Sequence, residues 1–411
     1  VNMEEIASQM QAVLRKHQQL GIQHFVDDAL YRDVMTEMLN STQLTFMGRF
    51  ILKGDQHEYQ SATCTVFIAT DVEGDTKSPV ALKFMKNASE FEQEKISRLK
   101  LKASAAVDIS KFVVDIRDCF DCSHAAFQQS LSSGSSFVVN SKLQDYPFLI
   151  VMRAAHRNLR AIMDNERITD PAVIKRMFYE ILRAVKFMHD SGVTHGDIKP
   201  RNVVRVDRRL VLIDLDASAE IGKQYSWSKY SSAYLPPEAI DVTAAADAAL
   251  ASAKVRRFAS GGSNACACML VLANAAHLPA FNDGEGCVGA CGLAHRSHDM
   301  WALGVILYRF CARESLWSEN DEDNIKADSD HLIELARWTD EFKQERLQKI
   351  DDTATRSLVS KLLEKDPWKR PRSIDDVLSM PFHERDVIAL KLQQMIPHGA
   401  HQSSNFVGSV Q

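Results

Sequence analysis

The residues best suited to chemistry lie in one run, His195-Gly196-Asp197-Ile198-Lys199-Pro200-Arg201-Asn202, followed by Val211-Leu212-Ile213-Asp214-Leu215-Asp216. Their types meet the needs of phosphoryl transfer. One carboxylate can orient an attacking hydroxyl, and a lysine can offset charge on the phosphate. An amide oxygen and a second carboxylate make a sensible protein share of a Mg2+ shell, since that ion takes hard oxygen ligands and stays partly hydrated. Polar residues in such a run often form no more than a turn, so the reading rests on what surrounds them.

Those groups need elements to hold them. Asp170-Pro171 reads as a helix N-cap with proline at the first helical position. Val173, Ile174, Met177, Phe178, Ile181, Leu182, Val185 and Met188 then mark one face of a helix ending near Gly192. Two short strands follow, Asn202 to Val206 and Leu210 to Ile213, and the rest reads as mainly helical. Upstream, Phe46 to Leu52, Thr63 to Thr70, Pro79 to Met85, Phe112 to Ile116 and Phe148 to Met152 read as strands. Ala88 to Lys102 reads as a charged helix, and the polar stretch with Ser130 to Ser136 as a long loop. A strand-rich part followed by a helix-rich part implies an α+β protein with two lobes.

The motifs, in this order, resemble the eukaryotic protein kinase family over about residues 44–390. The run at His195 is similar to the family's H-R-D-x-K-x-x-N, and Lys199 two residues after Asp197 follows the serine/threonine pattern. The resemblance implies a small β-rich N-lobe (44–152), a hinge (153–157) and a larger helical C-lobe (158–390). It makes Asp197 the catalytic base, Lys199 the phosphate-facing lysine, and Asn202 and Asp214 the Mg2+ ligands. Val80-Ala81-Leu82-Lys83 resembles V-A-I-K, so Lys83 would grip the α- and β-phosphates of ATP. Its implied partner is Glu94, with Glu92 as a competitor, and Arg98 falls where the family has an apolar packing residue. Met152 takes the gatekeeper position ahead of Arg153-Ala154-Ala155, where adenine would meet backbone. Val66 and Ala81 would lie on one side of that ring and Val204 or Ile213 on the other.

Scaffold motifs agree. Tyr234-Leu235-Pro236-Pro237-Glu238 resembles A-P-E, and Asp299-Met300-Trp301-Ala302-Leu303-Gly304-Val305 resembles D-x-W-S-L-G-V. Leu362-Leu363-Glu364-Lys365-Asp366-Pro367 with Arg370-Pro371 matches the late helical motif, and Arg370 is expected to pair with Glu238.

Three departures stand out. The nucleotide loop falls on Tyr59-Gln60-Ser61-Ala62-Thr63-Cys64, which has no glycine, although Ser61, Ala62 and Thr63 are small. Gly196 replaces the arginine that clamps a phosphorylated activation segment, so phosphate on Ser226, Ser228, Ser231 or Ser232 would have less to pair with. Asp214-Leu215-Asp216 stands for D-F-G, and Asp216 takes positive φ less freely than glycine.

Composition bounds the rest. The 411 residues are 45% hydrophobic and 25% charged, as in a globular protein. Only 17 are glycine, where average usage would give roughly 29. A net charge of −5 gives no reason to expect nucleic-acid binding. No apolar stretch has the roughly 18 residues of a membrane span. The eight scattered cysteines read as reduced thiols, which places the chain in the cytoplasm; it begins with Val1, so targeting is left open. Residues 3–39 carry helix-period hydrophobics and read as one or two amphipathic helices in an extension over 1–43. Residues 391–411 read as a polar tail. About residues 245–295 form an insert in which Cys266, Cys268, Cys287 and Cys291, with His295 and His298, lack usual zinc spacing. The expected activity is therefore Mg2+- and ATP-dependent serine/threonine phosphorylation of a protein substrate. The rival readings are a pseudokinase scaffold and a small-molecule kinase of the aminoglycoside or choline type. Lys199-Pro200 and Pro236-Pro237-Glu238 speak against the second.

Overall fold

The computed structural model describes residues 45–47, 49–53, 57–73, 78–104, 107–123, 143–223, 230–242, 253–255, 293–326 and 330–383. The expected N-terminal helices, the loop at Ser130 to Ser136, Ser226, Ser228, the four cysteines of the insert and the tail lie outside the described residues. The chain divides into two compact units, residues 1–86 with 119–151 and residues 87–118 with 152–411.

The smaller unit is built on a seven-stranded sheet. Its strands are β1 (Thr45–Phe46), β2 (Phe50–Leu52), β3 (Tyr59–Gln60), β4 (Cys64–Asp71), β5 (Ser78–Met85), β6 (Ile116–Asp121) and β7 (Phe148–Arg153). They run in the order β1-β2-β4-β5-β7-β6, with β3 paired to β4. Residues 46–52, expected as one strand, reverse instead: Met47 takes φ 55° and Arg49 N–H donates to Phe46 O at 3.2 Å. The reversal brings Phe46 and Phe50 into one core with Phe67, Phe84 and Val151, so burial of two aromatic rings outweighs continuous strand pairing. In the antiparallel β4–β5 pair, Val66 lies opposite Lys83 and Ile68 opposite Ala81. These four side chains therefore share one face.

The larger unit begins with α1 (Ala88–Ser104). Asp108 then caps a 3-10 turn over Ile109–Lys111 by accepting from Ser110 N–H at 3.0 Å. This turn displaces the strand expected at Phe112 to Ile116; Val113 makes one parallel bridge to Leu212 and β6 starts at Ile116. After β8 (Arg157–Asn158) and α2 (Leu159–Asn165) comes α3 (Pro171–Asp190), with Asp170 accepting from Ala172 N–H at 2.8 Å, as the N-cap signal predicts. β9 (Val193–Thr194), β10 (Val203–Val206), β11 (Arg209–Leu212) and β12 (Ala219–Glu220) form small sheets ordered β11-β10-β8 and β12-β9. β13 (Ile240–Val242) pairs with β14 (Ala253–Val255).

At the centre of this unit is α4 (Arg296–Ala312), buried from Ser297 through Phe310. A helix covered on every side belongs to a core. Gly304 lets it approach the C-terminal end of α7 (Thr353–Leu362): a Cβ there would lie 2.8 Å from Leu362 Cβ. The remaining helices are α5 (His331–Arg337), α6 (Asp340–Leu347), α7 (Thr353–Leu362) and α8 (Ile374–Leu378). Trp301, Trp317 and Trp338 meet edge to face among them, with centroids 5.3–5.4 Å apart. Among the described residues, no helix is long and apolar enough to cross a membrane.

His295, in line with its lack of usual zinc spacing, is the N-cap of α4. Its Nδ1 accepts from Ser297 N–H at 3.1 Å, which requires the neutral ring. Burial, with nearby His298 and Arg296, pushes its pKa down to about 4. The folded state thus resists binding a proton that the unfolded ring takes up near 6.5. The stability it contributes is complete above pH 6.5 and is lost as pH falls toward 4. Chemical denaturation across this range should show wild type losing stability relative to His295→Asn, which caps without titrating. Parallel profiles would refute the assignment.

Candidate active site

The loop from His195 to Asn202 is held by one buried carboxylate. Asp299, in the first turn of α4, accepts from His195 N–H at 2.9 Å, Gly196 N–H at 3.1 Å and His189 Nε2 at 2.8 Å. Burial alone would raise its pKa, but hydrogen bonds from His189 and His195 hold it below the usual carboxylate range. His195 Nε2 lies 3.0 Å from Ile213 O, and Asp197 N–H donates to His195 Nδ1 at 3.3 Å. The imidazole thus links the loop to the chain just before Asp214. Gly196 has φ +81°, a backbone that an arginine side chain would strain. Glycine takes this conformation without side-chain strain.

On this support four polar side chains converge. Asn202 Nδ2 donates to Asp197 O at 2.8 Å and to Asp197 Oδ2 at 3.1 Å. Lys199 Nζ lies 3.0 Å from Asp197 Oδ2 and donates to Ser231 Oγ at 2.7 Å. Asp197, Lys199, Asn202 and Ser231 are all buried. Ser231 carries no spacing signal of its own and was legible only as one serine among several. Ser231 and Ser232, expected as phosphorylation candidates, are both buried and hydrogen-bonded, so the structure does not present them to a modifying enzyme.

Asp214 takes the left-handed conformation, φ 68° and ψ 68°, and leads into a 3-10 turn over Leu215–Ala217. The positive φ falls on Asp214, and Asp216 has none. The anticipated cost of replacing glycine at 216 therefore does not arise. Asp214, Asp216 and Glu94 bring carboxylate oxygens within 4.8 Å of one another. Because Asn202 spends its NH2 group on Asp197, its Oδ1 is left as an acceptor. The three carboxylates Glu94, Asp214 and Asp216 offer hard oxygen donors of the kind that Mg2+ takes.

Glu94 is fully buried in α1, whereas Glu92 is exposed beside Lys95. Arg98 is buried one turn further on. Its Nη1 lies 3.0 Å from Glu94 Oε1, and its Nε donates to Val114 O at 2.8 Å. Nη2 reaches Met152 Sδ at 3.9 Å. A guanidinium thus replaces the expected apolar residue, and its charge is answered by Glu94. The helix is also fastened to the turn after Asp214. Gln93 Nε2 donates to Ser218 O at 2.9 Å, and the Ser97 and Ser218 hydroxyls are 2.6 Å apart.

The other expected nucleotide contacts fall on both units. Arg153 is exposed and donates to Asp207 at 2.6 Å; Ala155 and Ile213 are half-buried, and Val204 and Met152 are buried. In the smaller unit Val66 and Ala81 are half-buried on the face they share with Lys83. Ser61 is occupied locally. Its Oγ accepts from Thr63 N–H at 3.3 Å and Cys64 N–H at 3.2 Å, and its own N–H donates to Cys64 O at 2.8 Å. The hydroxyl thus takes amides that a glycine loop would turn toward phosphate.

Glu238 meets Arg370 in a bidentate pair at 2.7 and 2.8 Å. Arg370 also donates to the carbonyls of Glu364, Ser297 and Lys365. These five bonds use every donor of the guanidinium. Burial would raise the Glu238 pKa, but Arg370 holds it below the usual carboxylate range.

A family model for the protein kinase domain matches residues 62–261 and 288–383. Among curated proteins, the chain is 27% identical over 235 residues to a MAP kinase-interacting serine/threonine-protein kinase of Caenorhabditis elegans, covering 53% of this chain and 28% of that one. It is 26% identical over 227 residues to a serine/threonine-protein kinase of Saccharomyces cerevisiae, covering 51% and 38%. A dual specificity protein kinase of Danio rerio is 31% identical over 112 residues, covering 25% and 11%. The chain spans well under half the length of these relatives.

Removing one partner of the Glu238–Arg370 pair strands a buried charge. Arg370→Met should cost about 3–5 kcal/mol in urea unfolding. A loss below about 1 kcal/mol would mean the pair is dispensable.

Proposed function

The chain belongs to the protein kinase domain family, and we propose that it transfers the γ-phosphoryl group of ATP to serine or threonine hydroxyls of a protein substrate. The observation that carries this reading is the convergence of Asp197, Lys199, Asn202 and Ser231 on a loop anchored by Asp299. Asp197 orients the attacking hydroxyl and accepts its proton as the new O–P bond forms and the bond to the bridging oxygen of ADP breaks. Lys199, held by Ser231, offsets charge on the moving phosphoryl group. Asn202 and Asp214 would hold Mg2+, which when bound neutralises negative charge on the phosphates. By the resemblance, Lys83 would face the α- and β-phosphates, and Glu94 is its implied countercharge. Adenine would meet backbone at Arg153 and Ala155 behind Met152, among Val66, Ala81, Val204 and Ile213. Rate enhancement comes from positioning and charge stabilisation, with no covalent intermediate.

Gly196 leaves no arginine to bind a phosphorylated activation segment, so activity does not depend on that modification. The second reading, a nucleotide-binding scaffold without turnover, is favoured by the local use of Ser61 and by the extra carboxylate of Asp216.

A Mg·ATP assay on generic protein substrates separates the two. Wild type should transfer phosphate, and Asp197→Ala and Asp214→Asn should each lose about 100-fold or more. Alanine at Ser226 and Ser228 should leave the rate unchanged. A nucleotide-dependent thermal shift without transfer by wild type would establish the scaffold instead.

A further inference from the structure

Beyond the catalytic loop, residues 319–325 after α4 form a compact loop whose polar groups face two other segments of the same unit. The loop is rigid by construction. Asn320 N–H donates to Asn324 O at 2.8 Å, and Asn320 Oδ1 accepts from Glu322 N–H at 2.9 Å and Asn324 N–H at 3.0 Å. Asp323 sits at φ +61°, a conformation that aspartate tolerates better than most residues. At the base of the loop, Glu319 is ion-paired to both Arg160 and Arg309.

One set of contacts reaches the segment that carries Ser231. Asn324 Oδ1 accepts from Ser232 N–H at 2.9 Å and from Ser232 Oγ at 3.2 Å. The same hydroxyl accepts from Ile325 N–H at 2.9 Å, so Ser232 both donates and accepts across the junction. Ala233 N–H donates to Asp323 O at 3.3 Å. A second set reaches the catalytic loop: the fully buried Asp323 carboxylate lies 3.1 Å from Arg201 Nε and 3.8 Å from Arg160 Nη1. Arg201 is the residue between Pro200 and Asn202. One short loop therefore grips both sides of the Lys199–Ser231 hydrogen bond.

We propose that residues 319–325 act as a clasp that fixes Ser231 against Lys199, with Asn324 and Asp323 as positioning residues for phosphoryl transfer. The clasp supplies, through neutral hydrogen bonds and one buried carboxylate, order that Gly196 cannot draw from a phosphorylated segment. It acts on the hydroxyl-accepting side of the reaction and touches none of the expected nucleotide contacts. Its loss should lower kcat and leave the KM for ATP alone.

This inference rests on the kinase reading, so its test has an arm independent of turnover. In full-length Asn324→Ala, amide hydrogen exchange at Ser232 and Ala233 should quicken about tenfold or more, as expected for loss of a buried hydrogen bond. In the Mg·ATP assay, Asn324→Ala and Ser232→Ala should each lower kcat about tenfold with the ATP KM within about twofold of wild type. Ser232→Thr, which keeps the hydroxyl, should restore most of the rate. Unchanged exchange in Asn324→Ala overturns the clasp. Faster exchange with an unchanged kcat, or a rise in ATP KM matching the fall in kcat, overturns the positioning role. If wild type transfers no phosphate, the kinase reading fails, and the exchange result alone upholds or overturns the clasp.

Discussion

One carboxylate that never meets solvent sets the geometry of the candidate site. Asp299 projects from the first turn of a helix buried on all sides and gathers two consecutive backbone amides and an imidazole. The amides belong to the two residues that precede Asp197, so the position of the proposed base is inherited from the core. Taking Asp299 out of water is costly unless each oxygen is answered, and here the answering donors are the loop itself. Holding the loop is thus the condition on which burial of the charge is tolerated.

The same logic recurs elsewhere in the larger unit. Arg370 uses all five donors, two on Glu238 and three on carbonyls. Arg98 spans Glu94, Val114 and Met152 where an aliphatic side chain would only fill space. Such interior charges demand particular partners at particular angles, whereas apolar packing accepts many near-equivalents. They define where α1 and residues 231–239 sit.

Much of this was legible in the sequence, for identifiable reasons. The helix over Pro171–Asp190 announced itself through cap, proline and periodicity, and the Glu238–Arg370 pairing followed from motif resemblance. The hairpin at Met47 was not visible, because Phe46 to Leu52 has strand composition throughout and only core burial favours the reversal. Asp108 capping a turn was likewise lost in the β-branched stretch after it. At the site, residue types identified Asp197, Lys199, Asn202 and Asp214 as candidates. Ser231, Asn324 and Asp323 were beyond reach, since their roles depend on segments roughly 30 to 120 residues apart in the chain. Gly196 was read as a missing arginine, while its positive φ is a backbone property that composition does not carry.

The turn at Ser61 bears on how this chain can change over evolutionary time. Its hydroxyl holds the Thr63 and Cys64 amides. A glycine arising at Ala62 would add backbone freedom without releasing either amide, so that substitution alone offers selection nothing. Loss of the Ser61 hydroxyl by itself would leave two amides unsatisfied in a loop still stiffened by side chains. A change of Ser61 itself to glycine does both at once, freeing the two amides and the backbone together. Drift toward a glycine-rich loop therefore runs first through position 61.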